Sequence, residues 1–172
     1  IWFSYVDDDR DVTRYQGQAF NWIGIDEITQ YPTPYVWNYL RSRLRSTDPQ
    51  LGLYMRCTAN PGGVGGWWVR KMYIDPSPPN AAFWAKEFDT QKTIRYPVGH
   101  TKEGQPLFLK KFIPARLTDN PYLAIDGQYE AMLLSLPEVE RKRLLEGDWD
   151  VAEGAAFTEF SRSLHVVEAF DP

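Results

Sequence analysis

Two adjacent carboxylates follow a short apolar run near the start of the chain. The run Phe20–Ile25 ends directly in Asp26 and Glu27. A short run rich in Ile and Trp is typical of a strand buried on both faces of a parallel sheet, and ligands bind at the carboxyl ends of such strands. One carboxylate there can hold Mg²⁺ through water, and a second can activate an attacking water, as nucleoside triphosphate hydrolysis requires. The pair predicts a metal ligand at Asp26 and a general base at Glu27.

The same two acids have a simpler interpretation. A helix often begins just after a strand, and carboxylates near its first turn interact favourably with the helix macrodipole. Asp26 and Glu27 are compatible with that arrangement as well as with a hydrolytic site.

A second polar motif follows the next candidate strand. Leu51–Cys57 predicts a strand, and Thr58-Ala59-Asn60-Pro61 comes directly after it. Because parallel strands place their carboxyl ends at one edge of a sheet, we expect Thr58 and Asn60 to lie near the carboxylate pair. A hydroxyl and an amide there could bind a terminal phosphate or its attacking water. Taken alone, the motif is also typical of a turn that stops a strand.

Composition narrows the class of protein. A net charge of −4 and a pI of about 5.2 exclude a uniformly basic nucleic-acid-binding surface, so any such contact must be local. Cys57 is the single cysteine, which excludes an internal disulfide. His100 and His165 are the only histidines of the sequence, so the chain has too few zinc ligands of these types and we expect no structural zinc site. The sequence contains neither an apolar run long enough to cross a bilayer nor a leader pattern.

Further elements must position the two motifs. We expect parallel strands beginning at Ile1, Phe20 and Leu51, the first of them covering Ile1–Val6. Thr33 predicts a helix cap with Pro34 at the first helical position. The buried face of that helix should contain Val36, Trp37, Leu40 and Leu44.

The glycines between Gly62 and Gly66 are not a phosphate-binding loop, because no Lys followed by Ser or Thr closes them. They predict a mobile connection into a short helix at residues 67–72.

The last third of the chain predicts helices. Asp119-Asn120-Pro121 should open a helical region with Tyr129, Met132 and Leu133 facing inward, and Leu136-Pro137 should begin a helix that Gly147 ends. Asp148, Asp150 and Glu153 raise the question of a two-metal nuclease site. Alternation around Trp149 and Val151 favours a strand with outward-facing acids instead.

Several motifs together resemble the large terminase subunit of tailed bacteriophages, the motor that packages DNA into a procapsid. The segments that carry this resemblance are Arg14–Gly17 leading into Phe20–Glu27, Thr58–Pro61, Phe112–Ala115 with Asp119–Leu123, and Leu145–Asp150. In the family these are respectively the Walker B motif with its approach, the coupling motif, the segment after the ATPase core and the link toward the nuclease domain.

The resemblance implies an α/β fold, part of a P-loop NTPase of the ASCE or RecA-like kind, with flanking helices and a small helical linker subdomain. Residues 1–115 would form the C-terminal half of the ATPase domain, and residues 116–172 the linker toward a nuclease domain. In the family a Walker A loop precedes this region and a nuclease follows it. Asp26 would coordinate Mg²⁺, Glu27 would activate water, and Thr58 and Asn60 would couple hydrolysis to movement.

The implied cofactors are ATP and Mg²⁺. The implied partners are double-stranded DNA, the portal protein, the small terminase subunit and further copies in a ring, in the host cytoplasm and with no membrane. The complete protein would be an ATPase, and we expect the given chain alone to be inactive because it carries no phosphate loop. Two alternatives stay open: a non-catalytic module that docks on DNA or the portal, and a helicase-like motor of the same ATPase class.

Overall fold

The computed structural model describes residues 1–48, 50–85, 108–124 and 127–151. The chain divides into two compact units. The first contains Ile1–Ala59 and Gly63–Ile113, and the second contains Asn60–Gly62 and Pro114–Pro172. The three residues that follow Ala59 therefore belong to the second unit, although the chain on either side of them belongs to the first.

A parallel pair of strands organises the first unit. Strand β1 (Trp22–Ile25) pairs with β2 (Tyr54–Cys57), in a register that joins Trp22 to Tyr54 and Ile25 to Cys57. Helix α1 (Tyr35–Arg41) lies between them in the chain, so the segment is a β-α-β unit. Within the described residues this sheet has two strands, and the fold is mixed α/β as predicted.

The predicted strand at Ile1–Val6 is wrong. The described structure assigns no strand there, and carbonyls that a sheet ladder would use accept hydrogen bonds from side chains. The Tyr31 hydroxyl donates to Val6 O at 3.1 Å, and Arg14 donates to Tyr5 O at 3.4 Å. Burial raises the pKa of Tyr31, so its hydroxyl remains a donor well above neutral pH.

Burial of β1 on both faces is also wrong for the described chain. Successive strand residues point to opposite faces, and only the face of Ile25 is buried. Trp22 on the other face is 43% exposed. Its ring lies over Gly24, where an added Cβ would approach the ring to 2.7 Å, so the strand covers part of this face with its own side chain.

Helix α1 has three of the four residues predicted for its buried face, and the fourth, Leu44, is wrong. Val36, Trp37 and Leu40 are buried along it, at the spacing of one helical side. The helix begins one residue later than predicted: Pro34 is the N-cap, and the Thr33 hydroxyl accepts a hydrogen bond from the Tyr35 N–H at 3.3 Å. Leu44 lies beyond the helix and pairs with Phe20 in an isolated parallel bridge.

A second helical segment completes the core of this unit. Helix α2 (Gly66–Val69) continues directly into a π-helical turn (Arg70–Ile74), which confirms the predicted short helix. Trp68 is fully buried, and Trp37 of α1 meets Tyr73 edge-to-face at 6.3 Å. Strands β3 (Phe83–Ala85) and β4 (Phe108–Lys110) form an antiparallel pair.

The second unit contains helices within residues 114–124 and 127–151, as predicted for this part of the chain. Helices α3 (Pro121–Ala124), α4 (Gln128–Leu134) and α5 (Glu138–Leu144) follow a 3₁₀ turn at Leu117–Asp119. Leu133 is buried, but Tyr129 and Met132 are exposed, so two of the three predicted inward residues are wrong. A helix of seven residues makes only about two turns, and here it buries a single large side chain.

The predicted strand around Trp149 and Val151 is wrong as well. Asp148 Oδ1 accepts a hydrogen bond from the Asp150 N–H at 2.7 Å, which bends the chain locally in the manner of an Asx turn. That local bond competes with an extended backbone. Glu153, the third acid of this group, lies outside the described residues.

Candidate functional site

The carboxylate pair lies where the chain leaves β1. Asp26 follows the last strand residue, and Glu27 adopts a left-handed backbone conformation with φ 47° and ψ 53°. A 3₁₀ helix, Ile28–Gln30, begins immediately after it. Left-handed conformations are unfavourable for residues with a side chain unless the surrounding structure holds them. A continuing strand would place the two consecutive carboxylates on opposite faces, and the turn at Glu27 ends that alternation.

Thr58 holds this turn with four hydrogen bonds, made by its N–H, its carbonyl and its hydroxyl. Its N–H donates to Ile25 O at 3.0 Å, and its carbonyl accepts from the Ile28 N–H at 3.0 Å. Its hydroxyl donates to Asp26 Oδ1 and accepts from the Glu27 N–H at 2.8 Å. The predicted juxtaposition of the two strand ends is therefore present for Asp26, Glu27 and Thr58. One hydroxyl joins both acidic residues.

Glu27, the residue at the turn, is exposed. Its Oε2 accepts a hydrogen bond from the side-chain amide of Gln30, one helical turn further on. An ionised carboxylate has room for about four hydrogen bonds, so this contact leaves acceptor positions for a water molecule. The arrangement is chemically suited to proton abstraction from a bound water.

A glycine-rich segment supports the turn from behind. The Gly65 N–H donates to Thr29 O at 2.8 Å, and a Cβ added at Gly65 would lie 2.0 Å from Tyr31 O. Gly63 has φ +71°, and an added Cβ there would lie 2.8 Å from Thr29 O. These contacts contradict the prediction that the segment is only a mobile connection. Glycine is needed because two stretches of backbone approach each other closely.

Two tryptophan side chains extend the same contact. The indole N–H of Trp68 donates to Tyr31 O at 2.8 Å, and that of Trp67 donates to Pro32 O at 3.1 Å. Trp68 is buried, so its bond to Tyr31 lies in the core. Trp67 is exposed, so its bond to Pro32 lies at the surface. Helix α2 is thereby attached to the residues that follow the carboxylate pair.

The donor set at Asp26 fits a magnesium ion held largely by water. Asp26 is exposed, and among the described residues its carboxylate has one hydrogen bond, accepted by Oδ1 from the Thr58 hydroxyl. Mg²⁺ commonly keeps several waters and takes one or two protein carboxylates beside substrate phosphates. No group of three or more His, Cys, Asp or Glu suited to a metal occurs in the described part of the chain, which argues there against an all-protein metal cage.

Asn60 is placed differently from the other predicted site residues. It is exposed and belongs to the second unit, and among the described residues its side chain makes no hydrogen bond. The structure joins Thr58 to the acidic pair by direct hydrogen bonds. The predicted phosphate-coupling role of Asn60 stays a prediction.

Sequence reasoning missed two residues of this site. The sequence patterns above do not include Gln30, although its position three residues after Glu27 is the spacing at which helical side chains meet. Gly65 enters them only as part of a glycine run. The glycines themselves were the available signal, because glycine often marks a site where another stretch of backbone approaches closely.

Comparisons with known proteins add no identification: no protein family, curated protein or solved structure matches the chain. The described helices are also too short or too polar to cross a bilayer.

Proposed function

We propose that this chain is part of the ATPase of a viral DNA-packaging motor, of the large terminase subunit type. The observation that carries the proposal is the Thr58 hydroxyl, which contacts both Asp26 and the backbone of Glu27 at the carboxyl edge of a parallel strand pair. Ligand sites of α/β proteins lie at this edge. The order of motifs along the chain supports the terminase family, and the RecA-like P-loop NTPase fold is part of the proposal.

The proposed mechanism assigns a separate task to each residue. Asp26 would hold Mg²⁺ through water, and the ion would supply charge neutralisation at the phosphates of ATP. Glu27 accepts a proton from the water that attacks the terminal phosphate. Thr58 orients the Asp26 carboxylate and the Glu27 backbone, and with Asn60 it belongs to the motif that couples hydrolysis to movement of DNA.

The proposed setting follows from the same resemblance. The motor would act as a ring on the portal, with the small terminase subunit, and would move double-stranded DNA into a procapsid in the host cytoplasm. The chain is acidic overall, so contact with DNA would depend on local basic groups such as those of α5.

Replacement of Glu27 by Gln in the full-length gene product tests the proposal. The carboxylate is lost while the side-chain length is kept, so we expect Mg²⁺-dependent ATP hydrolysis to fall by about 100-fold or more. Binding of a fluorescent ATP analogue should stay within about threefold, because Glu27 acts on the water and not on the nucleotide. Glu130→Gln, at an exposed glutamate of α4, is the matched control and should retain full turnover.

Other outcomes would redirect the assignment. Parental turnover in Glu27→Gln would contradict the base assignment. A wild-type protein that hydrolyses no ATP, yet binds DNA in a salt-sensitive way without nucleotide, would favour the docking module. ATP-dependent separation of DNA strands would favour a helicase-like motor.

A further inference from the structure

Gln30 is attached to Glu27 at two points. It is the last residue of the 3₁₀ helix that follows the carboxylate pair. Its backbone N–H donates to Glu27 O at 2.9 Å, and its side-chain amide donates to Glu27 Oε2. The side chain therefore folds back along the turn and contacts the carboxylate of the proposed base.

The backbone between these two residues is fixed on both sides. Ile28 and Thr29 are buried, at 2% and 4% exposure. The Ile28 N–H is bonded to Thr58 O at 3.0 Å, and Thr29 O accepts from the Gly65 N–H at 2.8 Å. The backbone that carries the Gln30 side chain is therefore held in place, even though Gln30 and Glu27 are themselves exposed.

The carboxylate of an exposed glutamate must be held in one orientation if it is to act as a general base. The side chain has three rotatable bonds, and in water it samples many rotamers that do not point at a bound water. A donor that occupies one carboxylate oxygen restricts those rotamers and leaves the other oxygen to accept a proton. The amide of Gln30 occupies Oε2, which leaves Oε1 for this task.

We infer that Gln30 is a positioning residue for the general base, holding the Glu27 carboxylate by its Oε2 so that Oε1 faces the attacking water. This inference rests on the proposed role of Glu27. It gives a task in the reaction to a residue outside the acidic pair and outside the Thr58–Pro61 motif.

The test uses Gln30→Met in the full-length gene product, because Met has a similar length and no donor. A lost charge-assisted hydrogen bond at an exposed site should lower kcat for Mg²⁺-ATP by about tenfold. KM and the affinity for a fluorescent ATP analogue should stay within about threefold, because Gln30 acts on the carboxylate alone. Gln18→Met is the matched control, since the Gln18 amide makes a similar local bond to Arg14 O at 3.3 Å.

A second variant separates positioning from general structural support. In a Glu27→Gln background, Gln30→Met should cause no further loss of turnover, because a residue that acts through the carboxylate has nothing left to position. The melting temperatures of Gln30→Met and Gln18→Met should both lie within about 2 °C of the parent.

Three results would overturn the inference. An unchanged or raised kcat in Gln30→Met would show that the amide does not hold a productive orientation. A loss accompanied by weaker nucleotide binding or a lower melting temperature than the control would show a structural role. An additive loss in the Glu27→Gln background would show action through another group. Parental turnover in Glu27→Gln would instead contradict the proposed role of Glu27 as the base. That result is distinct from the three above, which contradict only the role of Gln30.

Discussion

Thr58 shows how much a single small residue can organise at a strand end. Its four hydrogen bonds join it to the last residue of β1, to both acidic residues and to the start of the 3₁₀ helix. A threonine hydroxyl both donates and accepts, so it can join an acceptor carboxylate to a donor N–H. Neither a carboxylate nor an ammonium group could do this, because the first only accepts when ionised and the second only donates.

Replacement of Thr58 by Val tests this role. Val keeps the shape of Thr but removes the hydroxyl, so the Asp26 carboxylate loses a donor and the Glu27 N–H loses its acceptor. We expect turnover of Mg²⁺-ATP in the full-length protein to fall by about 10- to 100-fold, the range for a lost hydrogen bond to a charged group. Steady-state hydrolysis at saturating ATP is the measurement.

Thr58→Ser is the matched variant for that experiment. Ser retains the hydroxyl and loses only a methyl group, so turnover should remain within about threefold of the parent. Equal losses in the Val and Ser variants would mean that the hydroxyl does not organise the acidic pair.

At the scale of elements, the turn after β1 is attached to α2 through backbone contacts. Gly65 approaches Thr29 and Tyr31 so closely that no side chain fits between them. Trp68 then buries its ring and satisfies Tyr31 O with its indole N–H. The orientation of the proposed base therefore depends on the packing of a helix that contributes no acidic residue.

Substitution of Gly65 by Ala should destabilise the protein. The added Cβ would lie 2.0 Å from Tyr31 O and 2.7 Å from the indole nitrogen of Trp68, so backbone must move. We expect the free energy of unfolding to fall by at least about 2 kcal/mol, measured by urea denaturation followed by tryptophan fluorescence.

The neighbouring glycine provides the control. Gly66 begins α2 and has nothing within 4 Å of an added Cβ. Gly66→Ala should change the free energy of unfolding by less than about 1 kcal/mol, with a gain expected from helix propensity. Similar losses at the two positions would contradict the close-approach argument for Gly65.

The elements differ in how well the sequence predicts them. An apolar run that ends in acids predicts β1, and the spacing of Val36, Trp37 and Leu40 predicts the buried face of α1, because both signals are local patterns. The segment Ile1–Val6 has the same apolar character but no partner strand in the described structure, and pairing is not encoded in the segment itself.

The candidate site was predictable in part for the same reason. The meeting of Thr58 with the acidic pair follows from parallel pairing of two strands and could be expected. The contact of Gln30 with Glu27 depends on a left-handed turn at a glutamate, a conformation that residues with side chains seldom adopt. No residue propensity indicates such a turn in advance.

At the scale of the whole molecule, the two compact units differ in what holds them together. The first has a core from several elements, with Trp37, Trp68 and Phe83 among its buried side chains. In the second unit, Leu133 is the one buried large apolar side chain within residues 114–124 and 127–151, at 3% exposure. The stability of the second unit should therefore be sensitive to this one position.

Leu133→Ala should destabilise the second unit. Removing a buried leucine costs about 2–5 kcal/mol, through lost transfer free energy and the cavity that remains. We expect faster hydrogen exchange at the amides of α4 and α5, measured by mass spectrometry on the full-length protein. Leu134→Ala is the control, because that leucine is adjacent in the same helix and 51% exposed. Equal acceleration in both variants would contradict the assigned core.

The parallel pairing of β1 with β2 has a consequence for synthesis of the protein on the ribosome. Asp26 and Thr58 are 32 positions apart, so at about 5–20 residues per second the first strand waits roughly 2 to 6 s for its partner. During that interval β1 lacks its partner strand β2, and the nascent chain is open to chaperone binding or to wrong pairing. The acidic pair acquires its geometry only when translation has passed Thr58.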